Sequence, residues 1–197
     1  MEKFTKTILL RDGTGVCIRP IEKEDGPALL SFFRALPEDD RLFLKEDVTS
    51  EDVINRWMEL LNFDKVIPIV AEKDGEIIGD ATLHLNRYGW MKHMAEIRCV
   101  VSSDYQQKGL GTALMRELLA HAVEKRVLQV SATMMDSQKS AQRAFKRIGF
   151  KKEAELRNFV MDINGKTHNL IIMVNDVSEL WKKMEDLLHY YDIRTMH

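Results

Sequence analysis

Residues 100–114, VVSSDYQQKGLGTAL, carry an apolar strand end through a short polar turn into two glycines and the start of an amphipathic helix. That order builds an anion site. The first N–H groups of a helix lack intrahelical acceptors and sit at the positive end of its dipole, so phosphate oxygens settle there without a cationic side chain. Gly109 and Gly111 have no Cβ, so a phosphate can approach the amides closely, and the chain can take the tight turn that aims them at one point. Neither standard nucleotide motif fits. A dinucleotide fingerprint needs a third glycine where Leu114 stands, and the Gly-Lys-Ser/Thr of a P-loop occurs nowhere. Beyond the glycines, Leu110, Leu114 and Leu118 with Met115, Leu119 and Ala122 recur at helical spacing, which predicts a helix over 110–126.

Outward from this turn, strands and helices alternate. Strands are predicted over 16–19, 67–72, 76–85, 95–101, 129–134, 150–162 and 166–174, with hairpin turns at Asp74-Gly75 and Asn164-Gly165. Helices are predicted over 25–36, after a Thr49 cap with Glu51 and Asp52 in the first turn, and over 140–148, where Gly149 stops the chain. The pattern implies an α/β fold: a central mixed β-sheet flanked by helices. Residues 177–192 read as an additional C-terminal amphipathic helix, with Leu180, Trp181, Met184, Leu187, Leu188 and Tyr191 on one face. The expected organisation is one domain over 1–175 and a helical extension over 176–197. The apolar face of that extension must be buried, either on its own sheet or in a homodimer contact.

Composition narrows the classes. A chain of 197 residues, 45% hydrophobic and 30% charged, is long enough for one substantial core. The longest apolar runs, such as 170–174, fall far short of a bilayer, and residues 1–10 lack the apolar centre of a signal peptide, so a cytoplasmic location is expected. A net charge of −2 gives no electrostatic reason to bind nucleic acid or an anionic membrane. Cys17 and Cys99 lie far apart in strand-like segments and read as reduced core thiols, and no histidine pair has helical metal-binding spacing, so no metal is expected.

The run Gln106-x-x-Gly109-x-Gly111, preceded by a Val-rich strand and Tyr105, resembles the coenzyme A pyrophosphate loop of the GNAT acetyltransferases, written Gln/Arg-x-x-Gly-x-Gly/Ala. The segment AFKRIGF, 144–150, is similar to a second family segment that packs against the cofactor. The runs RDGTGVCIRPIEKED, 11–25, and AEIRCVV, 95–101, resemble the catalytic domain of Pat-type protein lysine acetyltransferases. The resemblance spans about residues 16–175 and implies the GNAT fold with acetyl-CoA as acetyl donor. It implies that the pantetheine arm pairs with Cys99, Val100 and Val101, and that a backbone N–H near Val101 holds the thioester oxygen. Beside Gln106, the amides of Gln107, Lys108, Gly109, Leu110, Gly111 and Thr112 would take the pyrophosphate. The chain departs from the family at three positions. Gln138 stands where an Asn often contacts the cofactor, Phe145 replaces a Tyr that protonates the leaving thiolate, and Ser103 replaces a frequent Pro.

Acetyl transfer to an amine needs the neutral amine, which at pH 7 is about one lysine-like molecule in a few thousand, so a base is useful. Glu96 matches the glutamate that serves as base in Pat-type enzymes, and Thr133 stands where another subgroup carries its own. Glu96 and Arg98 share one strand face while Ile97 and Cys99 take the other, so Glu96 reads as the base or as a structural ion-pair partner of Arg98. Arg98 would lower the Glu96 pKa and burial would raise it. A thiolate with pKa roughly 8.5, by analogy with cysteine, leaves without needing a tyrosine.

The acceptor signal is electrostatic. The segment PEDDRLFLKEDVTSED, 37–52, holds seven acidic residues against Arg41 and Lys45, which would steer a protein lysine or a polyamine. A solvated surface loop is the alternative. Tyr88, Trp90 and Met91 are candidates for an acceptor wall. The sequence therefore points to direct acetyl transfer to a primary amine in a ternary complex. The other readings are a non-catalytic acetyl-CoA-sensing module and a coenzyme-free relic, the last opposed by the intact glycine pair.

Overall fold

The computed structural model describes residues 4–41 and 44–178. Eight strands form one sheet: β1 Lys6–Leu9, β2 Gly15–Pro20, β3 Val66–Lys73, β4 Glu76–Leu85, β5 Met94–Val101, β6 Gln129–Met135, β7 Lys151–Met161 and β8 Thr167–Asp176. Their order is β1-β2-β3-β4-β5-β6-β8-β7, antiparallel throughout except between β5 and β6. Among the described residues, five α-helices cover the faces: α1 Gly26–Ala35, α2 Glu38–Arg41, α3 Glu51–Glu59, α4 Leu110–Glu124 and α5 Lys139–Arg147. The mixed α/β architecture agrees with the sequence pattern.

The two hairpin turns stand where the sequence puts them. Asp74 and Gly75 both have positive φ, 52° and 84°, the geometry that a two-residue turn between twisted strands requires. The expected apolar stripe of α4 is buried along its length: Leu110, Leu114 and Leu118 are at 0% exposure, and Met115, Leu119 and Ala122 are buried beside them. This stripe packs with Ala81, Leu83, Ala95 and Ile97 into the larger core, and Phe145 and Phe150 extend that core under α5. A smaller core on the opposite face joins Leu29, Phe32 and Phe33 of α1 and Ile54 and Met58 of α3 to Val70 and Ile77. Arg19 fastens this second layer. Its guanidinium forks onto both oxygens of Asp25 at 2.7 and 2.8 Å and also reaches Glu72, tying the chain just ahead of α1 to β3.

One local expectation is corrected, and one strand is added. Ser50, not Thr49, holds the position before α3, and the Thr49 hydroxyl instead donates to Asp47 Oδ1 at 2.6 Å. The strand β1 carried no sequence signal, being four residues long and mostly exposed on the sheet edge. The two cysteines are free and half-buried, each on a strand. The helix predicted over 177–192 falls, beyond its first two residues, outside the described residues.

Strands β5 and β6 are the opening in this sheet. They pair only from Met94 with Gln129 to Glu96 with Ser131, and then part. Beyond Glu96, the side of β5 that faced β6 has no strand partner among the described residues from Ile97 to Val101.

Candidate functional site

A cavity of about 620 Å³ occupies this opening, within the range of small-molecule sites. Strand alternation makes it two-sided. Cys99 and Val101 point to the α4 face, where they pack with the larger core, while Glu96 and Arg98 point to the α1–α3 face, where Val100 joins the smaller core. The slot passes through the sheet, with backbone amides on one side and ionisable side chains on the other.

The α4 side is built as the sequence suggests. Gly109 is the residue before the helix and is left-handed, φ 97°, a conformation that disfavours any side chain. The helix opens with Ala113 N–H donating to Gly109 O at 3.0 Å, so the amides of Leu110, Gly111 and Thr112 precede the first helical bond and are free to face an anion. Gln107 is also left-handed, φ 60°, so successive amides of the loop turn toward one concavity. A Cβ on Gly111 would lie 3.6 Å from Val101 and 3.8 Å from the Cys99 sulfur, ordinary contact distances, so the helix start lies directly against β5. Gln106 donates to Val101 O at 3.2 Å and fastens the loop to the strand.

Among the residues expected at the cofactor, Cys99, Val100, Val101, Gln106, Gln107, Gly109, Gly111, Thr112, Gln138 and Phe145 line the cavity, and so does Glu96. Lys108 and Leu110 do not. Lys108 pairs with Asp12 at 2.9 Å and covers the Tyr105 ring, and Leu110 is sealed in the core, so both offer only backbone. The Gln138 carbonyl oxygen accepts the Met135 N–H at 2.9 Å, holding the end of β6 in place. Phe145 packs edge-on against Phe150 with ring centres 4.9 Å apart and brings no hydroxyl. Arg11, Lys139, Arg143 and Arg147 also line the cavity, a cationic rim that no sequence motif announced. The amide cradle, the glycine clearance and this rim fit a phosphate-bearing ligand.

The other side is a cluster around Glu96. One carboxylate oxygen accepts from Arg98 at 2.8 Å and from Lys45 at 3.0 Å. Burial pushes the Glu96 carboxyl up, but Arg98 and Lys45 together outweigh it and hold the group below its ordinary value. Glu96 is thus the ion-pair partner that one sequence reading expects, and its carboxylate also lines the cavity. Across the strand pair stand Thr82, opposite Arg98, and His84, opposite Glu96, their side chains 3.0 Å apart. Burial and the Arg98 charge hold His84 down at about 4, so the imidazole is neutral at physiological pH. His84 carried no motif, because its relevance depends on the β4–β5 register. The Arg98 Nε is buried without a partner. Burial, with the Asp80 charge, pushes the Cys99 thiol up to about 12, which makes it a poor nucleophile.

The acidic segment contributes less than its composition suggests. Of its seven acidic residues only Asp40 lines the cavity. Glu46 is held by Arg56 and Trp57, and Asp47 by Thr49. Tyr88 and Trp90 are 87% and 91% exposed on the β4–β5 connection and do not line the cavity.

The family model described as "Acetyltransferase (GNAT) family" matches residues 30–150. The L-amino acid N-acetyltransferase AaaT of Escherichia coli (strain K12) is 25% identical over 107 residues, 53% of this chain and 66% of that protein, just short of two thirds of its length. The solved GNAT domain of S. lividans PAT superposes with a TM-score of 0.71 at 19% identity, covering 87% of this chain and 96% of that one. The protein yncA of Salmonella typhimurium, solved with its cofactor acetyl-CoA, gives a TM-score of 0.70 at 19% identity over 83% of this chain and 95% of that one.

Proposed function

Because this chain belongs to the GNAT acetyltransferase family, we propose that it transfers the acetyl group of acetyl-CoA to a primary amine, a protein lysine or a small amine, by direct attack in a ternary complex. The observation that carries this reading is the through-sheet slot, with free helix amides on one side and Glu96 on the other. In this reading, Leu110, Gly111 and Thr112 amides hold the pyrophosphate, with Arg11, Arg143 and Arg147 near it. The unpaired edge of β5 from Cys99 to Val101 pairs with the amides of the pantetheine arm as an added strand would. The amine enters from the α1–α3 face and gives its proton to Glu96, directly or through water. A carboxylate held below its ordinary value stays ionised at neutral pH and is always ready to accept. The raised Cys99 thiol argues against an acetyl-cysteine intermediate and so supports direct attack.

One observation favours a second reading, an acetyl-CoA-sensing module without turnover. Phe145 offers no proton to the leaving thiolate, and Glu96 is already paired with two cations. The two readings part in a single assay. Acetyl-CoA binding is measured by calorimetry, and thiol release is followed with lysine peptides, polyamines and amino acids as acceptors. Binding with amine-dependent thiol release supports the transferase; binding with no release for any amine supports the sensor; no binding removes both.

A further inference from the structure

The amine in contact with the proposed base belongs to the protein itself. Lys45 Nζ lies 3.0 Å from Glu96 Oε2, and Lys45 lines the same cavity as Val100, Val101 and the glycine loop. The contact rests on an anchored backbone. On one side, Leu44 packs against the smaller core; on the other, Glu46 is bonded to Arg56 and Trp57. The Lys45 side chain is nevertheless 64% exposed, so its stem can swing within the slot without disturbing the core. Lys139 also lines the cavity, yet Lys45 is the lysine among the described residues that bonds to Glu96.

We propose that Lys45 is an internal acceptor, so that the protein acetylates its own Lys45 Nζ in the slot. The inference rests on the transferase reading above. Glu96 takes a proton from the Lys45 ammonium, and the freed amine forms a C–N bond to the acetyl carbonyl carbon. The C–S bond to coenzyme A breaks, and the departing thiolate takes up the second proton lost by the nitrogen. The net reaction gives an amide, free thiol and one proton. No other reactant is needed. Modification removes one of the two cations that hold Glu96 ionised, and it clears the carboxylate for an incoming amine.

The test is intact-mass and peptide mapping of the full chain after incubation with acetyl-CoA alone. One acetyl per chain is expected, located at Lys45, formed at a rate independent of protein concentration. Lys45→Arg should abolish it while keeping acetyl-CoA binding, and Glu96→Gln should slow it by about a hundredfold or more. Acetyl groups spread over exposed lysines and indifferent to Glu96→Gln would mean solution acylation and overturn the proposal. So would a rate that rises with protein concentration. If Lys45 stays unmodified while an external amine is acetylated, the internal acceptor is wrong and the transferase stands. If neither amine is modified although acetyl-CoA binds, both readings fall.

Discussion

The two faces of the sheet at the β5–β6 opening solve different problems with different materials. On the α4 face the site is backbone ringed by cations: amides at a helix start, two glycines and a strand edge left open, with Arg11 and the α5 cations at the rim. On the α1–α3 face it is side chain: Lys45 from a loop, Thr82 and His84 from β4, Glu96 and Arg98 from β5. A phosphate needs only N–H groups converging at close range, which a local turn supplies. Moving a proton from an amine needs a poised carboxylate, and its poise comes from partners distant in sequence.

Breaking the backbone face should have the largest effect. In Gly111→Glu a Cβ meets only ordinary contacts, so the fold survives, while the carboxylate enters the proposed phosphate site. Losing two or three charge-assisted bonds of about 1.5–3 kcal/mol each predicts a drop in acetyl-CoA affinity of about a hundredfold or more. Calorimetry reads it, with circular dichroism as the fold control. Gly109→Glu should also fail to bind, but its left-handed φ of 97° adds backbone strain, so Gly111 gives the cleaner result. Binding by Gly111→Glu within about threefold of the wild-type affinity would remove the helix start from the site.

This asymmetry also decides what could be read in the chain. The glycine loop, the α4 stripe and both hairpin turns are local patterns, so Gly109, Gly111, Leu114 and Asp74-Gly75 carried their structure in a few residues. The relation of Glu96 to Arg98 was also legible, because alternation along one strand fixes it. What escaped was every pairing across distance. His84 faces Glu96 only through the β4–β5 register, and Lys45 reaches it from 51 positions away. The acidic segment misled for the converse reason: composition counts charges, whereas Glu46 and Asp47 are consumed by partners that only folding supplies.

Asp80 separates the faces through stability. It sits on β4 opposite Val100, and burial pushes its carboxyl up to about 7. Between roughly pH 4 and 7 the native state holds a proton that the unfolded state has released. Its contribution to stability is therefore full below about pH 4 and is lost as pH rises through 7. About three pKa units correspond to on the order of 4 kcal/mol. Asp80→Asn should gain on the wild type progressively over that window in urea unfolding and hold its advantage at pH 8. A difference independent of pH would show that Asp80 is not buried as a neutral acid.

Glu96→Gln tests the side-chain face directly. Turnover with a verified amine should fall by about a hundredfold, the usual scale for a positioned base, while acetyl-CoA affinity is unchanged. Because Arg98 and Lys45, working against burial, hold Glu96 below its ordinary value, the wild type should show no Glu96 inflection between pH 6 and 8. The deficit should be uniform across that range. Full activity in the variant would pass the proton to water or to another group, His84 being the nearest candidate by register.

The smallest effect belongs to the acidic segment, and it sharpens the comparison by separating charge in the slot from charge spent on the fold. Asp40 alone of the seven acidic residues lines the cavity, and burial, aided by the Asp39 charge, raises its carboxyl against the opposing bond from Gln106. Asp40→Asn should raise the Michaelis constant for a cationic acceptor by about two- to threefold at low salt, and added salt should erase the difference, since one partly screened charge is worth about half a kcal/mol. Neutralising Glu46 and Asp47 together should leave that constant unchanged and instead lower the melting temperature, because Arg56, Trp57 and Thr49 lose their acceptors. If the Glu46 and Asp47 pair weakened acceptor binding as much as Asp40→Asn does, steering would be a property of the whole segment, and the acceptor side would be drawn by its surface field and not by the few groups that meet in the slot.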